Sequence, residues 1–182
     1  MHLPITTSDT VPVESKAIVD GIADDLGFVP NLAATAAASP TLLQAFDALR
    51  RAVGSAELDP VLREVTGLAV GVAVDGAYGA AFHSTILAKL GVADADIDRM
   101  RAGQAPSDAR AAVVHDLARA LVLGRGKVDD AVLARVEAAG LTTVDVLEIV
   151  TECVFASLVG IIDNLAGRVE LDAFLAPRAW TA

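Results

Sequence analysis

Two local devices constrain this chain more than anything else in it. Ser39-Pro40 and Asp59-Pro60 each set a capping oxygen directly before a proline. The side chain accepts from the orphan amides of a first helical turn, and the proline occupies the one helical position where a missing N–H does no harm. Helices therefore start at these points. The first runs over Thr41 to Val53 and stops at Gly54, and the second carries on past Glu64 to a break at Asp75-Gly76. Similar punctuation divides the rest of the chain. Helices are expected over Glu14 to Leu26, from Gly76 to Leu90 with Gly91 as the stop, over Asp94 to Arg101, Ser107 to Leu123 and Asp129 to Ala139, and from a cap at Thr142 or Thr143 to Ala166. Gly27-Phe28-Val29-Pro30-Asn31 reads as a turn, and a tail with Leu171, Phe174 and Trp180 is expected to pack back on the body. No alternating strand pattern, repeat or low-complexity linker interrupts the series. The expected fold is all-α: a single-domain helical bundle over 1–182, with a helical extension at about 14–54, a core motif at 64–91, and a long helix at about 142–166 followed by the tail.

Composition narrows the partners. The formal charge is −10, from 14 basic and 24 acidic residues, and an acidic surface argues against nucleic acid and against an anionic membrane. The longest apolar stretch, Cys153 to Ile162, falls far short of the roughly 20 residues that cross a bilayer. No basic-then-apolar leader precedes the first helix, and one cysteine makes no internal disulfide, so a cytoplasmic location is expected. Hydrophobic residues make up 54% of the chain. That is high for a monomer, and the Thr143–Ala166 helix is apolar nearly all round, so it is either central to the fold or buried between subunits. A homo-oligomer is expected.

The chemistry concentrates between Glu64 and His83. On the helix after Pro60, Val61, Val65, Leu68, Ala69 and Val72 form an apolar stripe, with Glu64 on its edge. On the next helix His83 lies within the stripe Phe82, Ile86, Leu87 and Leu90, and Gly76, Gly79 and His83 share one face. The break at Asp75-Gly76 folds the two helices together, so a Glu64–His83 contact across the hairpin is expected. Burial disfavours the charge on each group, while each favours the charged form of the other. Such a pair either moves protons near neutral pH or simply satisfies a buried hydrogen bond.

Glu64 with Gly76-Ala77-Tyr78-Gly79-Ala80-Ala81-Phe82-His83 resembles the core motif of the carboxymuconolactone decarboxylase and alkylhydroperoxidase-D-like family. The resemblance extends over about residues 25 to 180, through Gly27-Phe28-Val29-Pro30-Asn31, Ser39-Pro40, Arg63-Glu64 and Trp180, although only 64–91 is specific. It implies a helical bundle of the alkylhydroperoxidase-D-like type, assembling as dimers, trimers or hexamers. In the family's peroxidase branch a glutamate and a histidine at this spacing relay protons to a Cys-x-x-Cys pair. Glu64 and His83 match the relay, whereas the two thiol positions are Gly76 and Gly79, which supply neither nucleophile nor resolving thiol. The decarboxylase branch acts on a small lactone acid without metal or organic cofactor and does not depend on the cysteines.

The resulting expectation is a cofactor-independent lyase, isomerase or decarboxylase using Glu64 and His83 on a small organic acid or carbonyl compound. The alternatives are a ligand-binding or structural oligomer without catalysis, and the alkylhydroperoxidase activity of the family, which the missing cysteines disfavour. Tyr78 either donates a hydrogen bond into the site or packs. Gly76 and Gly79 either leave room for a ligand or let helices approach closely, and Gly76 is a candidate for a turn with positive φ. His115, on the stripe Ala111, Ala118 and Val122, either faces the same pocket or belongs to the core. Cys153, among Val150, Val154 and Phe155, reads as a small buried hydrophobe.

No metal site is expected. His2, His83 and His115 lack ligand spacing, and Glu148, Glu152 and Asp163 lack the Glu-x-x-His motifs of a di-metal bundle. Gly124-Arg125-Gly126-Lys127 follows a helix and is too short for a phosphate loop.

Overall fold

The computed structural model describes residues 3–181; His2 lies outside them. Among the described residues there are nine α-helices and no strand: α1 Val13–Leu26, α2 Asn31–Ala36, α3 Pro40–Gly54, α4 Pro60–Ala73, α5 Ala77–Lys89, α6 Asp94–Arg101, α7 Ala109–Leu123, α8 Asp130–Ala138 and α9 Thr143–Ala166, with a 3-10 turn at Ala176–Arg178. The all-α expectation holds. No helix among the described residues is long and apolar enough to cross a membrane.

The capping signals act as their chemistry dictates. Ser39 Oγ accepts from the Leu42 amide, and Asp59 accepts from Val61 and Leu62. Asp108 accepts from Ala111, and Thr142 forms a reciprocal capping box with Asp145 at the start of α9.

Two differences have physical causes. The short helix α2 has no local capping side chain. Its first amide, at Asn31, is instead held by the Asp172 carboxylate at 3.2 Å from the far end of the chain. At the α4–α5 turn the positive φ belongs to Asp75 (54°), while Gly76 is extended at φ −93°. Glycine is needed at 76 for proximity, not for backbone freedom: a Cβ there would lie 3.1 Å from Gly160 Cα on α9.

The helices enclose two cores. One gathers Val65, Leu68, Leu87, Ile97, Met100, Leu117 and Ile149 around α4. The other joins Ile22, Leu43, Phe46, Tyr78, Ala81, Val159, Ile162 and Leu175, so that α1, α3 and the tail close over α5 and the second half of α9. Each fully buried Leu, Ile or Phe adds about 1.5–3 kcal/mol of transfer free energy to such a core. Trp180 packs back as expected, donating its Nε1–H to the Arg101 carbonyl at 3.1 Å, whereas Leu90, placed in the apolar stripe of α5 by spacing, is exposed.

The candidate site sits between the two cores, where α4, α5 and α9 meet. Glycines let them meet there. Gly67 and Gly71 follow Glu64 by three and seven residues and so share its face of α4. A Cβ on Gly71 would come within 3.0 Å of the Ala80 amide nitrogen of α5.

Candidate active site

Glu64 and His83 meet across the α4–α5 hairpin. His83 Nδ1 lies 2.8 Å from Glu64 Oε2, and both side chains are buried. A carboxylate only accepts, so Nδ1 carries the proton of this bond and Nε2 is the nitrogen left for other work. The imidazole ring lies flat against α4 because residue 67 has no side chain: a Cβ there would fall within 2.5 Å of Cε1, Nε2 and Nδ1.

The electrostatics follow from burial and partners. Burial alone would push the His83 pKa down, but the Glu64 hydrogen bond and the charges of Glu64 and Glu152 outweigh it and hold it above the ordinary imidazole value. Burial alone would raise Glu64, yet the bond and charge of His83, with Arg63 beside it, hold it below the ordinary carboxylate range. Arg63 Nε stands 3.4 Å from Glu64 Oε1 on the more open side. Both groups thus favour their charged forms.

The sequence pattern did not single out the third member. Glu152 reaches in from α9, and its Oε1 stands 3.7 Å from His83 Nε2. It is 2% exposed, and Oε1 has no hydrogen-bond partner. Burial pushes its pKa up to about 7, against the pull of the His83 charge and with the help of Glu64. A carboxyl inside an otherwise apolar helical stripe was the available signal. Grouping it with Glu148 and Asp163 hid that signal, because those two do unrelated work. Glu148 accepts from the Glu57 and Leu58 amides, and the fully buried Asp163 accepts from the Tyr78 and Val169 amides.

His83 forms part of the wall of an apolar cavity of about 140 Å³, with Gly79, Tyr78, Phe46, Phe82, Phe155 and Val159 among its other walls. Gly79 faces this space, and a Cβ there would make an ordinary 3.6 Å contact with Val159. Gly76 does not: it packs on Gly160, and its expected ligand-binding place is corrected to a helix contact. Tyr78 lines the cavity, but its hydroxyl donates to Asp172, and burial with that carboxylate raises its pKa. The structure therefore turns the Tyr78 proton away from His83. Arg50, also on the wall, is engaged by Asp25 and Asp47 at 2.7 Å each.

His115 is placed elsewhere. It is buried on α7 with Nδ1 3.2 Å from Asp116 and Nε2 unpartnered, outside the cavity wall, and burial lowers its pKa against the pull of Asp116. Its expected ligand-binding role is replaced by a core position. Cys153 is buried too, and burial with Glu152 beside it pushes its thiol up to about 12, so almost no thiolate exists at neutral pH.

The comparisons with known proteins fit this geometry. Residues 40–122, which hold Glu64, Gly67, Gly76, Gly79 and His83, match the sequence model of the Carboxymuconolactone decarboxylase family. The match spans the α3–α7 stretch that holds the Glu64–His83 pair. The fold around that stretch is shared with solved structures. An alkylhydroperoxidase AhpD core, a peroxidase-related protein from Ralstonia eutropha JMP134, superposes with a TM-score of 0.80 at 23% identity, covering 94% of this chain and 93% of that one. A peroxidase-related protein from Silicibacter sp. TM1040 gives 0.74 at 20% identity, with 95% and 91% covered. The debrominase Bmp8 in complex with 2,3,4-tribromopyrrole gives 0.77 at 16% identity, with 97% and 94% covered. These likenesses establish the alkylhydroperoxidase-D-like helical fold. No curated protein matches the sequence.

Proposed function

We propose that this family member is a cofactor-independent proton-transfer enzyme, a lyase, isomerase or decarboxylase in which His83 exchanges the proton and Glu64 orients it and stabilises its charge. The observation that carries this reading is a hydrogen-bonded Glu–His pair at the wall of a small apolar cavity. In such a place an imidazole changes protonation beside a bound molecule, with little water to compete.

The cavity also supports a substrate class. Its volume of about 140 Å³ is close to the roughly 150 Å³ of an engineered apolar cavity that takes benzene. Its guanidinium is already paired, so no free cation awaits a carboxylate. A small uncharged ring or carbonyl compound therefore fits better than the organic acid suggested by the family resemblance. The fold neighbour that binds tribromopyrrole accepts a flat ring of this kind. A thiol peroxidase reading is disfavoured by a buried Cys153 held as the neutral thiol.

A homo-oligomer is part of the proposal. Val144, Leu147, Val154, Ile161 and Leu165 on α9 are each more than half exposed. Leu147, Val154 and Ile161 recur every seven residues, with Val144, Leu158 and Leu165 beside them. That is the spacing of a helix seam, and a second copy of α9 is its natural partner. Light scattering of the wild type and of Leu147→Lys/Ile161→Lys tests it: the wild type should exceed the monomer mass and the variant should not.

For the chemistry, single-ring neutral compounds and small ketones are incubated with the protein in D2O, and loss of C–H signals is followed by NMR. His83→Ala should slow enzyme-dependent exchange about 10²-fold or more. Exchange indifferent to His83→Ala would end the catalytic reading. Binding without exchange would favour the ligand-binding alternative.

A further inference from the structure

Glu152 is the one polar group at the junction of α4, α5 and α9 that the Glu64–His83 pair does not explain. It enters from a third helix, is almost wholly buried, and points an unpartnered oxygen at the only imidazole nitrogen that Glu64 leaves free. An orphaned buried carboxyl oxygen carries a desolvation penalty of about 1–3 kcal/mol or more. Leucine at this place in the stripe would avoid it. The 3.7 Å gap is too long for a hydrogen bond as it stands, so an exchange requires the Glu152 carboxyl to move toward the ring.

We propose that Glu152 is the proton store of this site, exchanging one proton with Nε2 of His83 and so setting whether that nitrogen is bare or charged when the cavity is filled. The inference rests on the reading of His83 as the proton-transfer group. In the exchange the Nε2–H bond breaks and an O–H bond forms at Oε1. Imidazolium and carboxylate become imidazole and carboxylic acid, the pair's net charge is unchanged, and no electrons enter or leave. Glu64 stays ionised throughout, holding Nδ1–H. With the proton on Glu152, His83 presents a bare Nε2 for abstraction. With the proton on His83, it presents an acid.

The charged and titratable groups facing this exchange are Glu64 and Arg63 from α4 and Cys153 next along α9. Arg63 disfavours a cation on His83, Glu64 favours it, and Cys153 is held neutral. Burial pushes the Glu152 carboxyl up to about 7, toward the range in which an imidazole exchanges its proton. Glu152 acts through His83 and is a positioning residue.

The test requires no turnover. The chain has three histidines, so histidine-labelled full-length protein gives few ring signals, and His83 is identified by its loss in His83→Ala. In the wild type the His83 ring nitrogens should report a two-step titration, because the imidazole senses the ionisation of Glu152. In Glu152→Gln a single step should remain, with the proton affinity of His83 reduced about ten-fold. Identical single-step curves in the two proteins would overturn the proposal. Should Glu152→Gln fail to fold, infrared spectroscopy of the wild type decides: a protonated-carboxyl band present near pH 6 and lost by about pH 9 supports the store, and its absence near pH 6 refutes it. Coupled titration with no substrate exchange would end the catalytic reading alone; exchange with an uncoupled His83 would end this inference alone.

Discussion

Gly67→Ala isolates what holds the His83 ring in place. An added Cβ would lie within 2.5 Å of three ring atoms, against an ordinary contact distance of 3.4 Å or more. The imidazole must therefore retreat by about 1 Å. The Nδ1–Glu64 separation of 2.8 Å does not survive such a shift. Parting a buried pair so that one charge is left uncompensated costs about 3–5 kcal/mol, while alanine in a helix interior returns about 1 kcal/mol over glycine. The net loss is roughly 2–4 kcal/mol, or a fall in Tm of roughly 5–15 °C for a chain of this size. Urea and thermal unfolding at neutral pH measure it. The discriminating arm is the same substitution in a His83→Ala background, where the clash is gone and only the helix gain remains. There Gly67→Ala should stabilise, by up to about 1 kcal/mol, so the sign reverses across the cycle. An equal effect in both backgrounds, or a stabilised single variant, would refute the claim that Gly67 exists to seat His83.

Four further outcomes follow from the same geometry. Glu152 has a folded pKa raised from 4.5 to about 7, so its favourable neutral form is fully present below 4.5 and lost as pH rises through 7. Glu152→Gln should then be more stable than the wild type above pH 7, by up to about 3 kcal/mol, with the gain gone below about pH 4.5 in urea midpoints taken across pH. His115 has a depressed folded pKa, so its unfolded form binds protons more readily and stability falls as pH drops below 6.5. His115→Leu should flatten that acid limb in thermal melts. Gly76→Ala, meeting Gly160 backbone at 3.1 Å, should cost about 1–3 kcal/mol. Gly79→Ala, meeting Val159 at 3.6 Å and Gly71 Cα at 3.9 Å, both ordinary contacts, should fold at least as stably as the wild type while weakening binding of small rings in the narrowed cavity, as read by ligand-induced shifts in Tm.

What was legible in the sequence was local. Ser39, Asp59 and Thr142 cap amides two or three residues away, so their helices announce themselves. The Glu64–His83 contact was legible because both ends lie on one hairpin whose stripes set the facing sides. The short helix α2 was not, since its Asn31 amide is satisfied by Asp172, and no window of sequence contains both. Glu152 was missed for the same reason, its partner lying on another helix far back in the chain. Gly67 left a trace that went unused: a glycine three residues after a buried glutamate, inside a helix it weakens, implies that something approaches the backbone there.

Gly76 and Gly79 are not equivalent, and their difference bears on how the site can work. Residue 79 opens on the cavity, with ordinary room for a side chain before Val159. Residue 76 has been built into the fold. It rests on Gly160 of α9, which is itself closed in by Val74, so a side chain at 76 pushes against α9 and one at 160 pushes against the α4–α5 turn. The close approach fixes where α9 passes α5, and α9 is the helix that carries Glu152 to His83. One glycine borders the cavity, and the other gives proximity between the helix that carries His83 and the helix that carries Glu152. A larger side chain at 79 would enter the cavity beside His83. One at 76 would press on Gly160 of α9, the helix that brings Glu152 within 3.7 Å of the imidazole, so the packing that joins three titratable groups here depends on glycine at 76.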